Sequence, residues 1–128
     1  MTYPEADSAR LLLVEDDEHL AELIMLYLWS DDSDLQIEHA TRVSDATKAM
    51  ANKEFDLLIS DYDLPDGNGL DVVKAFYTCH KSAPAIMMSA RNDPSFRSEV
   101  IQAGVINLFE KPLRLSELQA QIRSLTRT

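Results

Sequence analysis

The chain has 128 residues, 45% hydrophobic and 27% charged, a balance that suits one soluble globular domain with a single core and excludes a disordered chain. Twelve basic against twenty-two acidic residues leave a formal charge of −10, which argues against direct nucleic-acid contact, because duplex binding rests on neutralising phosphates. No apolar stretch approaches the about 20 residues of a membrane span, the polar Met1–Arg10 leader lacks the order of a secretory signal, and a lone Cys79 permits no intrachain disulfide; a cytoplasmic protein without membrane contact is expected.

Apolar strand-like runs alternate with amphipathic stretches. Leu11–Val14 is a continuous apolar strand, and Leu20, Leu23, Ile24, Tyr27 and Leu28 then recur at helical spacing until Asp31–Asp34 breaks the pattern. Leu35–Ala40 reads as a strand, Ser44 as the cap of a helix through Asn52, and Phe55–Ser60 as a buried strand. Asp61–Gly69, with Pro65, Gly67 and Gly69, predicts a loop. Leu70, Val73, Phe76 and Tyr77 mark a third helix and Ala85–Met88 a fourth strand. Asp93 and Pro94 supply an N-cap and a first helical residue, and Gly104 ends that helix. Val105–Phe109 is the last strand, followed by a helix carrying Leu115, Leu118, Ile122 and Leu125. Five such βα units predict an α/β fold, a doubly wound parallel sheet with helices on both faces, within a core of about residues 11–127.

The chemistry sits at the ends of the apolar runs. Leu11–Val14 runs into Glu15 and Asp16, Leu57–Ser60 into Asp61, Ala85–Met88 into Ser89, and Leu108 and Phe109 lie just before Lys111. As neighbouring parallel strands they would bring three carboxylates, a hydroxyl and an ammonium to the sheet edge where open α/β sheets bind ligands. Carboxylates so close repel one another unless a cation sits among them, so the cluster points to a Mg²⁺ site that handles a phosphoryl group. Asp61, between a buried strand and a Gly/Pro loop, is the candidate nucleophile. Glu15 and Asp16 offer hard oxygen ligands, while Lys111, the Ser89 hydroxyl and the Ala90 backbone N–H offer donors to phosphate oxygens. Pro112 restricts the Lys111 backbone to extended conformations.

These motifs resemble those of the receiver domains of two-component response regulators. Leu-Val-Glu-Asp-Asp at 13–17 is similar to the acidic-pair strand, Ile-Ser-Asp-Tyr-Asp-Leu-Pro-Asp-Gly-Asn-Gly at 59–69 to the phosphoacceptor strand and loop, Met-Ser-Ala at 88–90 to the hydroxyl strand, and Glu-Lys-Pro at 110–112 to the lysine motif. The resemblance covers nearly the whole chain from Leu11 on. It implies a flavodoxin-like five-stranded parallel sheet in the order 2-1-3-4-5. It further implies that Asp61 is phosphorylated by a histidine kinase or histidine phosphotransfer protein. Asp16 and Asp61 would hold Mg²⁺ or Mn²⁺, with Glu15 helping through water and Asp63 through its backbone carbonyl. Tyr62, Ser89, Ala90 and Lys111 would hold the phosphoryl group. Such a domain is a signalling phosphoacceptor that catalyses only its own phosphotransfer and dephosphorylation. Phosphorylation switches an effector domain or output protein, with homodimerisation as one route.

Many receivers carry Tyr or Phe three residues before the motif lysine, where this chain has Leu108; Phe109, one step on, points to the opposite face. The signal is therefore expected to travel through the Ser89–Asp93 loop and the helix starting at Pro94. Asp63 and Arg91 are expected to flank the path of an attacking water and to pair across it. His19, His39 and His80 read as surface histidines without ligand spacing, Cys79 as a small packed side chain, Tyr27, Leu28 and Trp29 as packed on the sheet, and Asp31, Asp32 and Asp34 as a solvated turn. Two alternatives stand beside the receiver reading. Asp61-Tyr62-Asp63 also fits a haloacid-dehalogenase-type phosphohydrolase, and a non-phosphorylated pseudo-receiver would serve only as an interaction module.

Overall fold

The computed structural model describes residues 8–126; most of the expected leader and the last two residues lie outside them. Five strands, β1 (Arg10–Val14), β2 (Gln36–Ala40), β3 (Leu57–Asp61), β4 (Ala85–Ser89) and β5 (Asn107–Glu110), form one sheet in the order β2-β1-β3-β4-β5, every pair parallel. The helices are α1 (Glu18–Asp31), α2 (Val43–Asn52), α3 (Gly69–Cys79), α4 (Pro94–Gln102) and α5 (Leu115–Thr126). This is the flavodoxin-like topology expected from the sequence.

Alternation along the central strands explains the two layers of core. Leu12, Val14, Leu58, Met87 and Leu108 point to one face, where Val73, Phe76, Phe96 and Val100 of α3 and α4 cover them. Leu11, Leu13, Ile59, Ile86 and Met88 point to the other, beneath Ile24 and Leu28 of α1 and Leu118 and Ile122 of α5. Both faces being buried, the strands read as unbroken apolar runs rather than alternating ones. At β5, Leu108 and Phe109 fall on opposite faces, as the period of two requires.

Local signals set most helix ends. Asp93 accepts the Phe96 N–H at 3.2 Å with Pro94 at the first helical position of α4, and Gly104, at φ +99°, reverses the chain beyond its end. Asn68 and Asp71 form a reciprocal capping box at the start of α3. The start of α2 differs from expectation. Ser44 lies within the first turn and Arg42 occupies the cap position without a side-chain cap; the Val43 and Ser44 N–H groups donate instead to the Asp66 carboxylate, at 2.7 and 3.0 Å.

Several peripheral expectations are corrected. Leu28 enters the core, but Trp29 is 37% exposed and its indole N–H donates to the Leu35 carbonyl at 2.7 Å, tying α1 to the turn before β2. Asp31 is not a solvated turn residue: it takes a two-pronged contact from Arg123 of α5, at 2.8 and 3.1 Å. Cys79 is exposed, because α3 turns it away from the core at its last residue. His80 is buried, stacked on Phe76 with ring centroids 4.8 Å apart, and its Nε2 accepts the Phe55 N–H at 3.0 Å.

Candidate functional site

Each expected site residue can be followed from its element. Glu15 follows β1 directly, its N–H held by the Ala40 carbonyl at 2.9 Å. Its side chain is fully buried, with Oε2 accepting the Asp17 N–H at 3.1 Å and Oε1 accepting from Lys111 Nζ at 2.9 Å. Asp16, next in line, is exposed. Asp61 ends β3 and is only 5% exposed, with Lys111 Nζ 3.1 Å from Oδ1. One carboxylate oxygen from each of Glu15, Asp16 and Asp61 can be chosen so that all lie within 4.8 Å of one another.

Ser89 ends β4 fully buried, and its Oγ accepts the Arg91 N–H at 3.0 Å, leaving the hydroxyl hydrogen free to donate. Ala90 follows, exposed, at the same edge. Lys111 is aimed from β5 by its own N–H, which donates to the Ser89 carbonyl at 2.9 Å; its peptide bond to Pro112 is cis. The Tyr62 N–H donates to the Met88 carbonyl at 2.9 Å, so as a phosphoryl ligand it would have to share that bond.

Asp63 is exposed in a short hairpin in which residues 63–64 pair with residues 67–68. It is not joined to Arg91. That guanidinium pairs with Asp93 at 3.2 Å and lies over the Phe96 ring at 4.4 Å, because the turn after β4 carries it toward α4 rather than across the acids.

Burial pushes the Glu15 and Asp61 carboxyls above the ordinary carboxylate range, with Lys111 opposing the shift at both. Burial works to lower the Lys111 ammonium, but its hydrogen bonds to Glu15 and Asp61 outweigh this, and its pKa is raised. Three carboxylates facing one ammonium leave two negative charges uncompensated when all are ionised. A hard divalent cation matches that deficit and the oxygen donors.

Sequence reasoning missed two features that shape this edge. A Cβ at Gly69 would stand 2.5 Å from the Asp61 carbonyl oxygen, so only glycine lets α3 begin this close to the acceptor strand. Tyr62 packs edge-on against Phe96 at 4.9 Å, linking the residue after Asp61 to α4. The glycine was visible as part of the loop motif. The ring pair, separated by more than thirty residues, left no local signal.

The family model for the response regulator receiver domain matches residues 11–123. The chain belongs to that family, and this membership replaces the haloacid-dehalogenase-type reading. Among curated proteins it is 34% identical over 118 residues to response regulator protein PmrA of Pseudomonas aeruginosa, covering 92% of this chain and 52% of the relative. It is also 32% identical over 117 residues to response regulator ArlR of Staphylococcus haemolyticus, covering 91% and 52%. The chain thus spans about half the length of these curated relatives. Among solved structures, the non-phosphorylated HemR receiver domain of Leptospira biflexa aligns with a TM-score of 0.84 at 30% identity, covering 94% of this chain and 96% of that one. Among the described residues no helix is long and apolar enough to cross a membrane.

Proposed function

We propose that this receiver accepts a phosphoryl group on Asp61 from the phosphohistidine of a histidine kinase or histidine phosphotransfer protein, and that the modified domain switches an attached effector or a separate output protein. The observation that carries this is the Lys111 ammonium held against Asp61 and Glu15 at the C-terminal edge of the sheet, with Asp16 beside them. An Asp61 carboxylate oxygen attacks phosphorus, the new O–P bond forms as the donor's P–N bond breaks, and the histidine nitrogen leaves with the electron pair. Lys111 neutralises charge on a transferring oxygen, and the Ser89 hydroxyl and Ala90 N–H donate to the others. Asp16 and Asp61, with Glu15 and the Asp63 carbonyl, would hold Mg²⁺ or Mn²⁺. When bound, the ion supplies the positive charge that the acids and the incoming phosphoryl group lack. Hydrolysis of the acyl phosphate at the same site resets the domain.

Relay through the turn after β4 is supported by its contacts. Arg91 touches Ser89 at the end of β4 through its N–H, and through its guanidinium it reaches Asp93 and the Phe96 ring at the start of α4. Asn92 bridges Glu110 on β5, at 3.0 Å, and Arg97 on α4. A shift of Ser89 toward a phosphoryl oxygen would reach α4 through these groups without an aromatic ring at Leu108.

Incubation with acetyl phosphate and Mg²⁺, read by intact mass, is expected to give a phosphoryl adduct on wild type and none on Asp61→Asn, with little adduct when the cation is chelated. An equal adduct on Asp61→Asn would move the acceptor elsewhere. No adduct on wild type, and none from any kinase offered, would favour the pseudo-receiver.

A further inference from the structure

The hairpin that follows Asp61 is anchored at both ends. At its base, Asp63 pairs with Asn68, and the Gly69 N–H donates to the Tyr62 carbonyl at 2.7 Å. At its tip, the Asp66 carboxylate accepts the Val43 and Ser44 N–H groups of α2 at 2.7 and 3.0 Å. Those N–H groups are unpaired within their own helix, as first-turn donors are, and Arg42 does not cap them. Desolvation works to raise the Asp66 carboxyl, but these N–H hydrogen bonds outweigh it and its pKa is lowered. Gly67 closes the junction: a Cβ there would meet Asp71 Oδ2 at 2.8 Å and Val43 Cγ2 at 3.0 Å.

We propose that Asp66 is a positioning residue for the cation site, its contact with the α2 N-terminus fixing the hairpin that carries Asp63. The inference rests on the reading of Glu15, Asp16, Asp61 and Asp63 as the cation's surroundings. Asp66 touches neither cation nor phosphoryl group. Its tether limits how far the Asp63 carbonyl can stray from Asp61, so its loss lowers cation affinity by making the bound geometry one of several that the hairpin samples.

Two consequences of Asp66 must be separated, the capping of α2 and the tethering of the hairpin. Arg42 is extended, at φ −154° and ψ 167°, the conformation of a capping residue, so Arg42→Ser can cap α2 locally without touching the hairpin. Paired with Asp66→Ala it also leaves the net charge unchanged. The test measures Mg²⁺ affinity by calorimetry, and the thermal midpoint without metal, for wild type, Asp66→Ala, Asp66→Asn, Asp66→Ala/Arg42→Ser and the charge control Asp45→Asn. Wild type and Asp45→Asn are expected to bind Mg²⁺ similarly. Asp66→Ala should bind on the order of tenfold more weakly, with Asp66→Asn, which keeps one acceptor oxygen, in between. The double variant should recover the midpoint but not the affinity. Recovery of both would reduce Asp66 to a helix cap, and unchanged affinity in Asp66→Ala would remove the tether's role. Should wild type bind no Mg²⁺ while well folded, the cation-site reading itself fails and the inference with it. If Asp66→Ala does not fold, Asp66→Asn and the double variant decide by the same comparison.

Discussion

Lys111 Nζ stands 3.1 Å from Asp61 Oδ1 and 2.9 Å from Glu15 Oε1, a single ammonium shared by two buried carboxylates at the ends of neighbouring strands. Removing one partner of such a cluster leaves charge buried without compensation, which costs more than the intact contacts contribute. Lys111→Met is therefore expected to lower stability in metal-free buffer at pH 7 by about 1–3 kcal/mol, below the full figure for buried pairs because the lysine side chain is about a quarter exposed. Saturating Mg²⁺ should narrow the gap. Urea denaturation of both proteins, with and without Mg²⁺, measures it; equal stability under both conditions would mean the ammonium does not balance the acids.

The reverse substitution has the opposite sign. Burial raises the Asp61 carboxyl above its ordinary 3.8, so the folded protein holds this proton to higher pH than the unfolded chain. The stability this contributes is complete below the ordinary value and is lost as pH rises through the folded one. Asp61→Asn has nothing to lose there. In the absence of metal it should match wild type in thermal midpoint near pH 4 and exceed it by a few degrees at pH 7, the effect of about 1 kcal/mol on a domain of this size. A gap that shrinks as pH rises would contradict the raised carboxyl.

Glycines 67 and 69 separate two kinds of crowding. At Gly69 an added methyl meets backbone, the Asp61 carbonyl oxygen at 2.5 Å and Tyr62 Cα at 3.1 Å, whereas at Gly67 it meets the side chains of Asp71 and Val43. Gly69→Ala must displace the acceptor strand or α3 and is expected to cost about 2–3 kcal/mol and to weaken phosphorylation by acetyl phosphate. Gly67→Ala should cost about 1 kcal/mol, because side chains can yield. Chemical denaturation with an acetyl phosphate time course compares the two, and a milder effect at Gly69 would contradict the close approach.

His80 holds the end of α3 against the lead-in to β3. Its Nε2 is the acceptor for the buried Phe55 N–H, and the ring stacks on Phe76. His80→Leu keeps the apolar bulk but orphans that donor, a loss of about 1–3 kcal/mol. Urea denaturation near neutral pH checks it, and a neutral or stabilising result would show that the hydrogen bond contributes little.

What could be read from the sequence follows the range of the physics. Strand runs such as Leu11–Val14, the Asp93–Pro94 helix start and the Gly104 stop depend on residues within a turn or two, and each stands where expected. The topology brings Glu15, Asp61, Ser89 and Lys111 to one sheet edge, so strand-end chemistry is legible in the sequence. Contacts across long separations were not. Ser44 was a plausible cap until Asp66, twenty-two residues on, took its place. Arg91 stands two residues after Ser89 as Asp63 stands two after Asp61, which suggested a pair across the site, but Asp93 and Phe96 offered a carboxylate and a ring closer by. The hydrogen bond that His80 accepts was hidden, because its donor, Phe55, lies twenty-five residues earlier.

The central claim, covalent acceptance of a phosphoryl group by Asp61, is tested most directly by trapping the acyl phosphate. Protein treated with acetyl phosphate and Mg²⁺, then reduced with borohydride and digested, should yield a peptide in which residue 61 alone has become homoserine. The conversion should vanish when the cation is chelated. Homoserine at position 16 or 63 instead, or an intact-mass adduct with none at position 61, would contradict the account.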